Sequence, residues 1–372
     1  MPKKILITGG AGFIGSHLAD DSLRHGYEVR ALDCLSPQVH GPAMKRPSYL
    51  DPEVELLVGD VRDRDAVRRA LRGVDAVYHL AAKVGVGQSM YQIVDYTEAN
   101  NTGTAVLLEA LVEQPVERLV VASSMSIYGE GLYREPGGAA VGGTERPLEQ
   151  LKARDWELRN ARGQILSPLP TPESKQPALA SVYALSKYDQ ERMSLVVGRA
   201  YQIPTVALRF FNVYGTRQAL SNPYTGVLAI FASQLLNDQP PVIFEDGGQQ
   251  RDFINVADIA QGCRLALEVK EAAGQVFNIG SGVQSTVNDI AERMARVLNK
   301  EHIVPEVTEQ YRVGDIRHCF ADISLAQRVL GFRPQVDFAQ GLTELAEWLQ
   351  GQIAVSRTGE MRAELNLRGL TV

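Results

Sequence analysis

Cysteine is scarce in this chain: three in 372 residues, an odd number, placed far apart at Cys34, Cys263 and Cys319. They lack CxxC spacing, which argues against a disulfide framework or a cysteine zinc site and fits reduced thiols in the cytoplasm. The six histidines form no HExxH or similar pair, so no metal site is expected. No apolar run approaches the ~20 residues that cross a bilayer. Met1-Pro2-Lys3-Lys4 leads directly into a strand-like segment, without the apolar stretch and cleavage site of a signal peptide. Positive charge is in deficit, 38 Lys and Arg against 44 Asp and Glu, or −6, with no long basic run. Nucleic acid and anionic membranes are therefore not expected partners, whereas local arginines and helix N-termini remain able to hold an anionic small molecule.

What is present is a rhythm. Short apolar, β-branched runs at Lys4–Thr8, Glu28–Asp33, Val54–Val58, Ala76–Leu80, Arg118–Ser123, Thr205–Phe210 and Val276–Ile279 alternate with helical patterns. The helices are expected at Gly12–His25, Arg64–Arg72, Thr97–Glu113, Val182–Tyr201, Gly226–Leu236, Val256–Val269, Val287–Leu298 and Gln340–Gln350. Strands apolar on both faces, separated by helices, predict an α/β fold: a doubly wound parallel sheet. Ligands in such sheets bind at the carboxyl ends of the strands. Residues 131–178 break the rhythm with many Gly and Pro, and read as an insertion on the surface with a short helix near Leu148–Arg154. The last 22 residues read as a helical tail.

The first strand runs into Gly9-Gly10-Ala11-Gly12-Phe13-Ile14-Gly15, in which Gly10, Gly12 and Gly15 satisfy GxGxxG. Such glycines allow a tight turn, close approach of backbone to a pyrophosphate and close helix–strand packing, and the helix N-terminus faces the phosphates. Asp33 ends the second strand, placed to accept both hydroxyls of an adenosine ribose and to repel a 2′-phosphate. No arginine follows it, so NAD is expected over NADP. Asp60-Val61 and Leu80-Ala81-Ala82 close the third and fourth strands, where a carboxylate meets adenine and small residues admit the cofactor. Each alone reads equally as a plain strand terminus.

Tyr183 and Lys187 lie four apart at the start of a helix, on one face. A phenol of pKa ~10 is a poor base at neutral pH, and a neighbouring ammonium favours its ionised form. Tyr183 is thus a candidate to take a proton from a sugar hydroxyl. With 13 tyrosines and 9 lysines, chance alone supplies roughly 0.3 such pairs. The spacing gains weight from the glycine fingerprint upstream and from "SSMSIYG" at residues 123–129, hydroxyls just past an apolar strand.

Taken together, "TGGAGFIG", Asp33, "GDVRD", "HLAA", "SSMSIYG", "YALSK" and "RFFNVYG", in this order, resemble the extended short-chain dehydrogenase/reductase family over nearly the whole chain. The resemblance implies a Rossmann NAD-binding domain at 1–210, to which 256–280 return, and a smaller nucleotide-sugar lobe from 211–255 and 281–350. It implies that Gly9, Gly12, Phe13, Ile14, Gly15, Asp33, Asp60, Val61, Leu80, Ala81, Ala82, Tyr183 and Lys187 line the cofactor. Ser124 would hold the reacting oxygen beside Tyr183, and Lys187 the nicotinamide ribose. Ser123 reads as a backbone or substrate-side contact. Asn212, Arg251 and Arg317 match positions that hold the diphosphate or its ribose, and guanidinium forks suit phosphate. Ser89 and Met90 are expected near the hexose. A homodimer through two long helices, one bearing Tyr183, is a further implication.

Several reactions share this scaffold. Family members that eliminate water carry Asp-Glu directly after the catalytic hydroxyl, and sugar-acid decarboxylases generally keep the glutamate. Here those places hold Met125 and Ser126, neither of which titrates usefully. A 4-epimerase is expected: oxidation at C4, rotation of the 4-keto sugar, and hydride return to the opposite face. Longer stretches, "RQALSNPYTGV", "FEDGGQQRDF" and "AELNLRGL", resemble dTDP-L-rhamnose 4-epimerase-like members, which implies dTDP-L-rhamnose/dTDP-6-deoxy-L-talose as the substrate pair. UDP-hexose or UDP-uronate epimerisation stands beside it. A 4-keto-sugar reductase, a 4,6-dehydratase and a non-catalytic nucleotide sensor are the other readings.

Overall fold

Seven strands form one parallel sheet: β1 (Lys4–Thr8), β2 (Glu28–Asp33), β3 (Glu55–Val58), β4 (Ala76–His79), β5 (Arg118–Ser124), β6 (Thr205–Phe210) and β7 (Val276–Ile279). Their order is β7-β6-β5-β4-β1-β2-β3, every pairing parallel. These are the runs read as strands from the sequence, shifted by a residue at most. The computed structural model describes residues 3–219, 226–312, 314–350 and 358–371. Part of "RQALSNPYTGV" (residues 220–225) and the start of the tail (351–357) lie outside the described residues.

The longer helices are α1 (Phe13–Arg24), α2 (Arg64–Leu71), α3 (Gly103–Glu113), α4 (Val182–Ala200), α5 (Val227–Leu236), α6 (Val256–Glu268), α7 (Val287–Val297), α8 (Phe338–Gln350) and α9 (Thr358–Leu367). One face of the sheet packs on α1 and α6 through Ile5, Ile7, Leu18, Val120, Ile259 and Phe277. The other packs on α2, α3 and α4 through Leu6, Val67, Val77, Leu107, Val121 and Val197. Alternate residues of one strand serve opposite cores, which is why the strands read as continuous apolar runs. The strand order reverses between β1 and β4, so the crevice of the sheet opens beyond Thr8 and His79.

The helix expected from Thr97 begins differently. Thr97–Thr102 forms a π-helical turn that runs into α3; such wide turns recur at functional sites. C-terminally, Asn212–Tyr214, Gln250–Asn255 and Gln284–Thr286 make a second, small sheet that His318–Cys319 joins. It packs with α5, α7 and α8 around Phe231, Leu235, Ile290, Met294, Leu342 and Leu345.

The segment 131–178 holds more order than its Gly and Pro content predicts. Leu132–Arg134 is the middle strand of a three-stranded antiparallel sheet with Ala140–Gly142 and Ser167–Leu169, and Leu148–Lys152 is helical. Tyr133, Leu158 and Leu166 form a core of its own. Two ion pairs, the first buried and the second partly exposed, tie it to the C-terminal part: Arg146 to Glu245 at 2.7 Å and Glu157 to Arg317 at 2.6 Å. Surface position alone does not describe it.

Candidate active site

The glycine loop turns where a side chain has no room. Gly9 has φ +73°, and a Cβ there would lie 3.0 Å from Ala81 N. A Cβ on Gly15 would lie 2.2 Å from Gly9 O, so only glycine lets α1 pack this close to the loop. Gly12 caps α1 without a side-chain hydrogen bond, and the first turn of α1 carries no acidic residue. The leading N–H groups, including those of Phe13 and Ile14, are thus left for an anion. The Asp33 carboxylate, at the end of β2, accepts from Ala11 N at 3.0 Å and from Leu35 N at 2.9 Å. This cradle and its carboxylate fit a dinucleotide. Asp60, beside Val61 at the end of β3, is held by Arg62 through Nε at 3.0 Å and Nη2 at 2.8 Å, which keeps its pKa below the ordinary value.

Past the crevice, β5 ends in Ser123 and Ser124, and their hydroxyls diverge. Ser124 Oγ lies 2.8 Å from Ser126 Oγ and accepts from Ser126 N at 3.2 Å, opening the tight turn Met125–Tyr128. It also lies near enough to the Tyr183 phenol to pull that group's pKa down. Ser123 instead donates to Glu191 at 2.7 Å, facing the interior, so the expected substrate-side contact is not what the structure has. Met125 packs with Ile127, Tyr128, Phe211 and Cys319.

Two serines hold the start of α4, and with it Tyr183. Ser181 accepts from Ala184 N at 3.1 Å, and Ser89 accepts from Tyr183 N at 3.0 Å while donating to Val86 O. Ser89, expected near the hexose, therefore positions the backbone of Tyr183; Met90 follows it at the end of a short helical turn, Val86–Ser89. Burial raises the Tyr183 phenol above its ordinary pKa, against the pull of Ser124. Lys187 is buried, and that burial lowers its ammonium to about 7 against the attraction of Glu191. Its Nζ donates to Gln190 Oε1 at 2.7 Å. The phenol is thus not lowered as the spacing alone suggested: burial outweighs the pull of Ser124.

The three downstream positions are scattered among protein partners. Asn212 Nδ2 donates to Asp252 O at 2.9 Å. Arg251 donates to the carbonyls of Gln250, Ile316 and Arg317. Arg317 is ringed by Glu157, Glu245 and Asp246. Burial would raise the Glu157 carboxyl, but hydrogen bonds from His318 and Arg317 hold it down at about 2.

Several buried polar residues escaped the sequence reading: Asn100, which donates to Ser186 Oγ and clasps Lys83 N; Gln190 with His79 beneath it; and Glu191 with Arg209. Their one signal is on α4, where Gln190, Glu191 and Ser194 are buried while Leu185 and Val196 are exposed.

A glycine cradle at the switch point of a parallel sheet, facing a Ser–Tyr–Lys cluster, defines a dinucleotide-dependent enzyme of the Rossmann class. The chain belongs to the NAD dependent epimerase/dehydratase family, whose model matches residues 5–148 and 166–280. It is 34% identical over 358 residues to the dTDP-L-rhamnose 4-epimerase of Burkholderia thailandensis, covering 94% of this chain and 96% of that protein. The UDP-glucose 4-epimerase of Thermus thermophilus in complex with NAD superposes with a TM-score of 0.74 at 30% identity, covering 94% of this chain and 100% of that one. The UDP-glucuronic acid 4-epimerase of Bacillus cereus in complex with UDP-glucuronic acid and NAD gives 0.76 at 29% identity, covering 93% and 99%. The protein is an NAD-dependent nucleotide-sugar epimerase. Among the described residues no group of His, Cys, Asp or Glu is arranged to hold a metal ion, and no helix is long and apolar enough to cross a membrane.

Proposed function

We propose that the enzyme inverts C4 of a nucleotide-linked hexose, with dTDP-L-rhamnose/dTDP-6-deoxy-L-talose as its substrate pair. The observation that carries the choice of reaction is the turn after Ser124. Met125 and Ser126 bring neither acid nor base to the sugar, and Met125 is committed to an apolar cluster. Elimination at C5–C6 lacks its proton carriers. NAD, when bound, supplies a hydride acceptor and donor beside the phenol and a positive nicotinamide ring next to it. Ser124 holds the C4 oxygen, and Tyr183 takes its proton and later gives one back. The likeness to the Burkholderia enzyme favours the deoxyhexose; the likeness to the UDP-sugar epimerases keeps UDP-hexoses and UDP-uronates as the alternative.

The test uses the purified enzyme with dTDP-L-rhamnose, UDP-glucose and UDP-glucuronate separately, with no cofactor added. The expected result is conversion of dTDP-L-rhamnose to its C4 epimer with no net change in NADH absorbance. Conversion of a UDP-sugar alone would transfer the assignment to it. In a parallel reaction supplied with NADPH and a 4-keto nucleotide sugar, stoichiometric NADPH consumption would make the enzyme a reductase and overturn the reading; no turnover of any of these nucleotide sugars would favour a sensor.

On this reading Arg317 and Arg251 hold the diphosphate. Arg317 can do so only if Glu157 or Asp246, the half-exposed members of its ring, releases the guanidinium. Glu157→Gln is therefore expected to lower KM for the nucleotide sugar several-fold, because a neutral amide competes less well than a carboxylate. Steady-state kinetics decide it: a KM that rises instead removes Arg317 from the diphosphate. The apolar outer face of α4, with Leu185 and Val196 exposed, supports a homodimer built on that helix. The three free thiols support a cytoplasmic location.

A further inference from the structure

We infer that Gln190 is the positioning residue that fixes Lys187: a neutral acceptor locked in one orientation by a buried chain of hydrogen bonds reaching the cofactor loop. The inference rests on the catalytic reading of Lys187 given above. Gln190, Lys187, His79, Thr104 and Thr8 are all essentially excluded from solvent. They come from α4, β4, α3 and β1, so no local sequence pattern brings them together.

The proton positions follow from one end. Thr104 Oγ1 lies 2.6 Å from the carbonyl oxygen of Asn100, which only accepts, so the hydroxyl proton points there. Thr104 Oγ1 is then an acceptor toward its other neighbours. Gln190 Nε2, at 2.7 Å, and His79 Nε2, at 2.8 Å, both donate to it. With its proton on Nε2, a neutral His79 accepts through Nδ1 from Thr8 Oγ1 at 2.8 Å. Thr8 Oγ1 in turn accepts from Ala81 N at 3.2 Å, the amide packed against Gly9 of the cofactor loop. Thr104 Oγ1 gives one proton and accepts two, and with the proton on His79 Nε2 the 3.3 Å approach of Gln190 Nε2 to that atom is a contact between two donors, not a link of the chain. Burial and the nearby Lys187 charge lower His79 to about 3, which keeps the ring neutral and the sequence intact.

Gln190 is left no choice of orientation. Its NH2 must face Thr104, so its carbonyl oxygen faces Lys187 Nζ at 2.7 Å. A flipped amide would set NH2 against ammonium and oxygen against a hydroxyl oxygen that has no proton to give. The ammonium is thus aimed by an acceptor that carries no charge. The titratable groups that interact with Lys187 are Glu191 on its own helix and His79 on β4, and its hydrogen-bond partner Gln190 is uncharged. Glu191 favours the ammonium, burial opposes it, and the balance leaves the proton readily lost near neutral pH. A carboxylate in place of Gln190 would move that balance upward.

The experiment is the pH dependence of kcat for Gln190→Glu and Gln190→Met beside the unmodified enzyme, with melting temperature and NAD content measured on each. Gln190→Glu is expected to shift the alkaline limb up by about 1 pH unit or more, as an added carboxylate stabilises the ammonium. Gln190→Met, with no acceptor, is expected to shift it down and to lower kcat at pH 7.5 by about tenfold. Displacements of opposite sign cannot arise from general loosening of the fold. Alkaline limbs that coincide with the unmodified enzyme's, whatever the melting temperature does, overturn the inference. Lys187→Met separates the two levels. If it is inactive while the Gln190 limbs do not move, only the positioning role of Gln190 fails. If it is fully active, the catalytic reading of Lys187 fails and the inference with it.

Discussion

Replacing Tyr183 by phenylalanine is expected to lower kcat by about 10²- to 10⁴-fold, the range that a positioned general acid–base supplies, while the purified protein keeps its NAD. The substitution removes one hydroxyl from a ring packed edge-on against Tyr96, with centroids 6.4 Å apart, so the packing survives. What disappears is the hydroxyl proposed to carry the proton. Burial raises the phenol's pKa, so the proposed proton transfer needs the positive charge of the bound nicotinamide beside it. Product formation followed by NMR and NAD content after denaturation check the two halves separately. An unreduced kcat would take Tyr183 out of the reaction; lost NAD would make it a cofactor ligand first.

The second large effect concerns stability. Glu191→Ala is expected to destabilise the protein by about 3–5 kcal/mol, since it leaves a buried guanidinium without its counter-charge. Glu191 is fully buried and grips Arg209 through two bonds, Nε to Oε2 at 2.9 Å and Nη2 to Oε1 at 2.7 Å, while accepting from Ser123. Arg209 continues to Tyr128 OH, and Tyr128 to Asn278, so the pair ties α4, β5, β6 and β7 together below Ser124. Urea unfolding gives the measurement, together with Glu191→Ala/Arg209→Met. The double variant should recover much of the loss, because removing both charges also removes the uncompensated one. A single-variant loss below about 1 kcal/mol would show that the pair bears little of the native stability.

These two predictions divide along the line between what the sequence discloses and what it hides. The sheet was readable because each strand is buried on both faces: Ile5, Leu6 and Ile7 are all excluded from solvent, so no alternation obscures them. The cradle was readable because Gly9 and Gly15 have steric duties that leave no substitute. The roles of Glu191 and Gln190 were not, since a stretch such as "SKYDQER" has the polarity of an exposed helix face. Only the partners from β4, β6 and α3 turn that face inward. The π-turn at Thr97–Thr102 was hidden for another reason: its residues fit a helical pattern, and periodicity does not resolve one added residue per turn. Arg317 was legible as a cation suited to phosphate, but its neighbours Glu157 and Glu245 stand far away in sequence, and nothing local announces them.

The family model that matches the chain stops at residue 148 and resumes at 166, leaving out the stretch that holds Glu157. Yet Glu157 meets Arg317, and Arg146 meets Glu245, across the junction of the inserted segment and the C-terminal part. The two therefore form a single exchangeable unit. A hybrid enzyme that takes its C-terminal lobe from this chain must take residues 131–178 with it. Transplanted apart, each half would carry the other's missing counter-charges into the new protein.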